Sequence, residues 1–205
     1  MGLFRIISYI YGTLIILFIT RFDTLEAISE LESAVLKAKG YYQDTAKSKS
    51  LSLEKTVLVT GGNFGYLNHI QNFKCFADRL NLQFLVISMD FRTHSYLTRR
   101  GMVSFFLGKS SNAEINGDSF AFRHPQFNEI TNRKKKAVAD ILELGYDVIF
   151  ADCDVVFVRD PLPFIRFSNV DYVHSLNVLC PFGNQWNFYT SHSEGNTGFY
   201  FARLF

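Results

Sequence analysis

Two acidic residues at the end of an apolar run, Asp152 and Asp154, have the spacing best suited to chemistry. The run DVIFA, residues 147–151, predicts a buried strand that delivers Asp152 at its carboxyl end, where open α/β sheets bind their ligands. In extended backbone the two carboxylates project to the same side and Cys153 points away. Two hard oxygen ligands on one side suit Mg²⁺ or Mn²⁺ when substrate phosphates complete the coordination shell. The pattern therefore predicts a metal site for a diphosphate.

The same motif also has a purely structural interpretation. A D-x-D pattern is short, and strand ends in α/β proteins often carry aspartate for capping and solubility. The apolar strand before the motif and the sequence Arg159-Asp160-Pro161 after it favour a functional role. The functional interpretation requires the two carboxylates to face open space together, and it fails if they are splayed apart or sealed beneath packed side chains.

A run of three lysines, Lys134, Lys135 and Lys136, precedes an apolar helical stretch. Such a run usually forms a solvated helix face. Beside an active-site diphosphate, however, one of the three could bind phosphate as a point charge. The run therefore supplies a candidate phosphate ligand if the helix lies near Asp152.

Two other patterns indicate different chemistry. The sequence VLVTGGNFGYLN, residues 57–68, is similar to a dinucleotide-binding turn, but Leu67 stands where the third glycine of that fingerprint is needed. A strand ending in D-x-D-V also resembles the nucleophile loop of haloacid dehalogenase phosphatases, which need a later lysine. The 51 residues after Asp154 contain no lysine. Both alternatives are therefore disfavoured.

Strand and helix patterns alternate through the part of the chain that carries these motifs. Apolar runs predict strands at Thr56 to Thr60, Gln83 to Met89, Asp147 to Ala151, Asp171 to Leu176 and Gly198 to Ala202. Helical faces are formed by Ile70, Phe73, Phe76, Ala77 and Leu80, and by a stretch from about Glu129 to Leu144 that Gly145 closes. Residues 108–128 have no period and are expected to form a loop. The alternation predicts an α/β fold with right-handed crossovers and a mainly parallel sheet.

Composition narrows the class of protein. With 48% apolar and 20% charged residues, the 205-residue chain can bury a core. The formal net charge of +2 and the lack of a basic patch with interleaved aromatic residues argue against nucleic acid as a partner. Three scattered cysteines do not form a disulfide framework or a zinc site. One globular domain with an appendage is the expected organisation.

The amino end predicts a membrane segment. Residues 6–20 are uncharged and lie between Arg5 and Arg21, which is the short limit for a spanning helix. A cleaved signal peptide and a buried core helix remain alternatives, but the stretch has no A-x-A cleavage pattern and is apolar all round. We therefore expect a signal-anchor at 1–22. Arg5 before the span and acidic residues after it place the rest of the chain in the lumen.

Between the anchor and the domain, residues 23–55 are expected to form a stem helix and a linker. Leu25, Ile28, Leu31 and Val35 recur at helical spacing, and residues 41–55 are polar and rich in lysine and serine. The sequence thus divides into an anchor at 1–22, a stem at 23–55 and a globular α/β domain at 56–205.

A series of segments resembles a known family. The segments are Asn72-Phe73, LVISMD ending at Asp90, Lys134 with Val138, GYDVIFADCDVVFVRDP from Gly145 to Pro161, and NTGFYFAR from Asn196 to Arg203. They resemble the nucleotide-diphospho-sugar transferase domain, whose members include plant cell-wall xylosyl- and arabinosyltransferases. The similarity covers the chain from about Thr56 onward, and the D-x-D strand and the N-T-G-F segment are specific in combination.

The resemblance implies a fold, a reaction and a site. The fold would be of the GT-A type, the metal Mn²⁺ or Mg²⁺, and the reaction retaining transfer from a UDP-sugar to a glycan or glycoprotein acceptor. A single-pass type II anchor in the Golgi membrane, with a lumenal catalytic domain, would follow. The implied site residues are Asp152 and Asp154 for the metal and diphosphate, Thr60 and Asp90 near the nucleoside, Lys134 among the donor-binding residues, and Asn196 and Gly198 on the sugar side.

The chain departs from the family pattern in one respect, because domains of this family continue past the N-T-G-F strand. The missing part would hold a further metal ligand and much of the acceptor site. The sequence therefore allows three functions: a metal-dependent glycosyltransferase, which the motifs favour; a non-catalytic relative that binds a partner or sugar chain; and a dehalogenase-type phosphatase.

Overall fold

A six-stranded sheet with helices on both faces organises the chain in the computed structural model. The structure describes residues 25–38, 55–109, 115, 117–121, 124–161, 165, 170–176 and 195–204. The strands are β1 (Thr56–Gly62), β2 (Leu85–Ser88), β3 (Ser104–Phe106), β4 (Asp147–Ala151), β5 (Tyr172–Leu176) and β6 (Gly195–Ala202). The α-helices are α1 (residues 25–38), α2 (Leu67–Arg79), α3 (Phe91–Arg99) and α4 (Pro125–Glu143).

The strand order β3-β2-β1-β4-β6-β5 makes the sheet mainly parallel, as the sequence predicts. Strands β1 to β4 pair in parallel, with Val57 opposite Val148, whereas β6 runs antiparallel to both β4 and β5. The chain moves from β1 outward through β2 to β3 and then crosses back to place β4 on the other side of β1. Open α/β sheets bind ligands in a crevice at such a reversal, which here lies at the carboxyl ends of β1 and β4.

The core lies on both faces of the sheet because alternate strand residues point in opposite directions. Val57 and Val59 pack with α1 and α4 on one face, and Leu58 packs with α2 on the other. Residues of both faces are almost fully withdrawn from water. The predicted α/β class is therefore confirmed, with the sheet held between two helical layers.

Local signals explain where the helices begin and end. Helix α4 starts at Pro125, earlier than the predicted Glu129, because proline suits the first helical position and His124 Nδ1 accepts a hydrogen bond from the Gln126 amide at 3.2 Å. The loop predicted for residues 108–128 is therefore shorter at this end. Gly145, at φ +83°, ends the segment before β4, as its position predicts.

Helix α1 covers part of the sheet. Leu31, Ala34, Val35 and Ala38 are buried in the same cluster as residues of β1, β2 and β4. Leu25 and Ile28, which the apolar spacing assigns to the same stripe, are 61% and 44% exposed. The buried side of α1 therefore keeps Leu31 and Val35 of the predicted stripe and adds Ala34 and Ala38 in place of Leu25 and Ile28. The domain boundary at residue 55 stays a prediction, although α1 shares the core of the sheet.

The expected signal-anchor, residues 1–22, lies outside the described residues. Within the described ranges, none of the helices combines the length and the apolar character needed to cross a bilayer.

Candidate functional site

Strand β4 presents Asp152 at the crevice. Val148, Ile149, Phe150 and Ala151 are buried, and β4 lies between β1 and β6, so the strand end is firmly placed. The Asp152 amide donates a hydrogen bond to the Gly198 carbonyl of β6 at 2.7 Å. The backbone of the first acidic residue is therefore fixed by the sheet.

Asp154 is placed by a turn and not by a strand. Strand β4 ends at Ala151, and the Val155 amide donates to the Asp152 carbonyl at 3.0 Å, which closes a turn over residues 152–155. The expectation of extended backbone through Asp154 is therefore wrong, and the alignment of the two carboxylates stays a prediction. Cys153 is 5% exposed and packs into the core, as expected, whereas Asp154 is exposed. The turn thus keeps the acidic side chains in contact with solvent while the intervening thiol is buried.

Lys134 forms an ion pair with Asp152. Its Nζ atom lies 2.8 Å from Asp152 Oδ1, and the side chains are 19% and 36% exposed. Lys136 pairs instead with Asp140 on the outside of α4. Lys136 is therefore on the solvated face that such a run usually forms, whereas Lys134 lies beside Asp152, where binding of a phosphate by its side chain stays a prediction.

Strand β6 brings Asn196 and Gly198 to the same place. The Gly198 amide donates to Asn196 Oδ1 at 2.7 Å. A Cβ atom on residue 198 would lie 2.8 Å from Asn196 Oδ1 and 3.2 Å from Asp152 Oδ2. Only glycine therefore leaves room for both side chains to approach the strand. Four of the predicted site residues converge from three elements: Lys134, Asp152, Asn196 and Gly198.

Thr60 and Asp90 lie at the same edge of the sheet but are buried. Thr60 is fully buried, and Asp90 is 2% exposed. The Asp90 carboxylate accepts hydrogen bonds from the Thr93 amide at 2.8 Å, the Thr93 hydroxyl at 2.7 Å and the Phe64 amide at 2.8 Å. Asp90 therefore caps α3, a role that the sequence DFRT signals and that our sequence analysis missed. A contact of either residue with a nucleoside stays a prediction.

The site suits a metal ion that shares its ligands with a substrate. Asp152 and Asp154 supply carboxylate oxygens, which Mg²⁺ and Mn²⁺ prefer. Among the described residues, no group of three or more histidine, cysteine, aspartate or glutamate side chains could hold a metal. Two carboxylates alone do not complete the coordination shell of such an ion, so an ion held by Asp152 and Asp154 would need further oxygen ligands.

Two groups beside the site have altered acidity. Burial raises the pKa of the Cys153 thiol to about 11, with Lys134 opposing the shift and the two neighbouring aspartates adding to it. Burial, together with Tyr172 and Asp152, raises the pKa of the Tyr200 hydroxyl, whose ring stacks on Phe150 at 5.2 Å. Both groups are therefore neutral at physiological pH and add no charge to the crevice.

The burial of Cys153 gives a test of the turn. At pH 8 only about one thiol in a thousand is ionised at a pKa of about 11, and the thiolate is the reactive form. We expect iodoacetamide to modify exposed Cys75 rapidly and Cys153 only after denaturation. Peptide mapping by mass spectrometry measures both rates on the same sample. Labelling of Cys153 at the Cys75 rate in the folded protein would show that the turn does not direct the thiol inward.

Comparison with known proteins decides the family. The profile of the family described as nucleotide-diphospho-sugar transferase matches residues 80–203, which include β4, the Asp152 turn and β6. The chain belongs to the nucleotide-diphospho-sugar transferase family. The resemblance drawn from the motifs is thereby confirmed, and the phosphatase and dinucleotide-binding alternatives lose their support.

Two relatives in Arabidopsis thaliana carry names for sugar transfer. The chain is 28% identical over 153 residues to beta-arabinofuranosyltransferase RAY1, which is 73% of this chain and 27% of that protein. It is 25% identical over 131 residues to arabinosyltransferase XEG113, which is 62% of this chain and 20% of that protein. The chain thus spans about a quarter of the length of these relatives. No solved structure matches the chain significantly.

Proposed function

We propose that this member of the nucleotide-diphospho-sugar transferase family is a metal-dependent glycosyltransferase with a GT-A-type fold, and that the described residues form its donor-binding part. The observation that carries the proposal is the convergence of Lys134, Asp152, Asn196 and Gly198 at the carboxyl end of β4, beside β6, with Asp154 exposed next to them. A crevice at this position in an open sheet suits a nucleotide, and its paired acidic residues suit a metal-bound diphosphate.

The residues of the proposed site would contact different parts of the donor and its metal ion. Asp152 and Asp154 would hold Mn²⁺ or Mg²⁺, which neutralises charge on the departing diphosphate. Lys134 balances the Asp152 charge before the donor binds and keeps its carboxylate oriented through the 2.8 Å ion pair. Because Lys134 is cationic and partly exposed, it is also placed to contact a phosphate oxygen. Gly198 and Asn196 would line the sugar side, where the missing Cβ leaves space.

The transferred group that we propose is arabinosyl, carried on UDP and transferred with retention to a glycan or glycoprotein. The names of the two Arabidopsis relatives support the choice of sugar. The uncharged stretch at residues 6–20 supports a type II anchor in the Golgi membrane with the site in the lumen.

Binding of UDP by the 205-residue chain tests the proposal. Calorimetry with Mn²⁺ present is expected to show saturable UDP binding, and removal of the metal with EDTA is expected to weaken it by roughly 100-fold, because the ion offsets several kcal/mol of charge on the diphosphate. UMP, which lacks the second phosphate, serves as the matched control and should depend far less on metal. Equal UDP affinity with and without Mn²⁺ would exclude a metal-bound diphosphate at this crevice.

A further inference from the structure

An open cleft of about 850 Å³ lies beside α3 and shares no lining residue with the Asp152 site. Its size is in the range of small-molecule binding sites. Three arginines and three aromatic residues line most of it: Arg92, Arg99, Arg100, Phe64, Phe91 and Tyr96. The cleft is therefore both strongly basic and rich in flat apolar surface.

Aromatic rings hold two of the arginines in place. The guanidinium carbon of Arg92 lies 3.6 Å from the centroid of the Phe64 ring, and that of Arg100 lies 4.2 Å from the centroid of the Tyr96 ring. The Tyr96 hydroxyl in turn accepts a hydrogen bond from Gln71 of α2. A guanidinium stacked on a ring keeps its N–H edge available, and it loses less rotational freedom when it binds an anion.

The arginines of the cleft are not neutralised by ion pairs within the part of the chain that the structure describes. Across the described residues, no ion pair includes Arg92, Arg99 or Arg100. Two acidic residues lie near the Phe64 end of the cleft. Asp90 is buried, and its oxygens are bonded to Thr93 and Phe64, whereas Asp118 is exposed and its carbonyl accepts a hydrogen bond from the Asn63 side chain. Three exposed guanidinium groups, two on α3 and one on its C-cap residue, therefore attract an anion, and their planar forks match carboxylates.

The spacing of the charges indicates an extended ligand. Arg92 and Arg99 are two helical turns apart on α3, which corresponds to about 10 Å along the helix. Phe91, 59% exposed, adds an apolar surface beside Arg92 that can pack on the carbon face of a sugar ring. We propose that the cleft binds an oligosaccharide that carries carboxylate groups. The choice of a sugar chain rests on the proposed function, whereas the requirement for anionic groups rests on the arginines alone.

The position of the cleft relative to Asp152 indicates what a ligand bound there would do. Phe64 follows β1 and Phe91 follows β2, so one end of the cleft opens at the sheet edge where Asp152 follows β4. A carboxylated glycan held along α3 would be kept close to the donor crevice without entering it. The cleft would thereby select acidic glycan acceptors by a contact remote from the reacting sugar.

Calorimetry with the 205-residue chain and an oligogalacturonide tests this site. We expect saturable binding that weakens as salt rises, because exposed charges are screened. The fully methyl-esterified oligogalacturonide has the same rings without charge and is expected to bind at least about tenfold more weakly. Equal binding of the ester would overturn the inference, and so would tighter binding of a single-stranded oligonucleotide of equal charge.

Paired variants place the binding on α3. Arg99→Ala combined with Arg100→Ala is expected to weaken oligogalacturonide binding by about tenfold, and the two lysine replacements should recover part of it, because charge returns without the planar fork. The matched control is Lys74→Ala combined with Arg79→Ala on α2, which removes the same charge. It also removes an arginine that lies over an aromatic ring, because the guanidinium carbon of Arg79 lies 5.2 Å from the centroid of the Phe76 ring. Thermal unfolding of each variant verifies the fold. An equal loss in the control pair would show only nonspecific attraction.

Measurements of UDP binding distinguish a failure of this inference from a failure of the proposed function. Binding of UDP with Mn²⁺ should be unchanged in the Arg99 and Arg100 variant and should not compete with the oligogalacturonide. Competition would assign the cleft to the donor nucleotide and overturn the inference. Oligogalacturonide binding without any UDP binding would support the cleft while the proposed function fails.

Discussion

Replacing Asp152 with asparagine is expected to weaken Mn²⁺-dependent UDP binding by roughly 100-fold, about 3 kcal/mol, because the change removes a charged oxygen ligand and leaves Lys134 without its ion-pair partner. Asparagine preserves the size of the side chain, so it fits beside Gly198 as aspartate does. The loss should therefore appear in the affinity and not in the folding of the domain. Calorimetry of UDP binding with Mn²⁺, with thermal unfolding of the same samples, measures both.

Asp78→Asn is the matched control for this variant. Asp78 lies on α2 and forms an exposed pair with Lys74, so the same chemical change occurs away from the crevice. UDP binding should be unaffected there. Because Asp154 is exposed in the turn, its asparagine variant should resemble Asp152→Asn if both carboxylates reach the ion. Wild-type metal dependence in the Asp152 variant would show that this carboxylate only anchors Lys134.

The strand that carries the site was predictable because its signal is local. Residues 147–151 form an apolar run after a glycine, and each later residue of that run is buried. Helix α3 escaped prediction because only Thr93 and Leu97 of its nine residues are buried, so its sequence FRTHSYLTR has no continuous apolar stripe. Strand β3 has only three residues, too few to show alternation. In both elements, tertiary contacts supply what local pattern lacks.

The role of Lys134 was only partly predictable. Lys134, Val138 and Ile141 are spaced four and three residues apart, so they share one face of α4, and the last two are buried. Because Val138 and Ile141 face the sheet, Lys134 faces it too, whereas Lys135 and Lys136 lie on other faces of the helix. Its partner Asp152 is 18 residues away on another element, and helical spacing carries no information about that distance. The ion pair between Lys134 and Asp152 could therefore be identified only from the three-dimensional structure.

The turn at residues 152–155 shows where prediction from strand alternation stops being valid. An alternation argument assumes extended backbone, and that assumption ends where β4 ends, at Ala151. The hydrogen bond between the Val155 amide and the Asp152 carbonyl closes the turn. The sequence DCDV has no glycine or proline, and its one turn-favouring signal is aspartate, which the D-x-D interpretation assigned to metal binding. The inward direction of Cys153 was therefore predicted correctly from an argument that does not apply to this backbone.

Phe201→Ala is expected to cost about 3–5 kcal/mol of folding free energy, which lowers the melting temperature by roughly 10 °C in a domain of this size. Phe201 is fully buried in β6, opposite Ile149 of β4 and Val173 of β5, and belongs to the core cluster formed with Phe73 of α2. Removing the ring leaves a cavity at the centre of the antiparallel part of the sheet. Thermal and denaturant unfolding measure the loss.

The same substitution at Phe91 is the matched control, because that ring is 59% exposed and its removal should change stability by less than about 1 kcal/mol. Phe201 and Tyr200 point to opposite faces of β6. Tyr200 packs on the same face as Phe150, and Lys134 Nζ lies 5.8 Å from the centroid of the Phe150 ring. Phe201 therefore faces away from Lys134. The folded fraction of Phe201→Ala should therefore bind UDP and Mn²⁺ with wild-type affinity. Weakened binding at a temperature where the variant is fully folded would show that the register of β6, which brings Gly198 to Asp152, depends on this one ring.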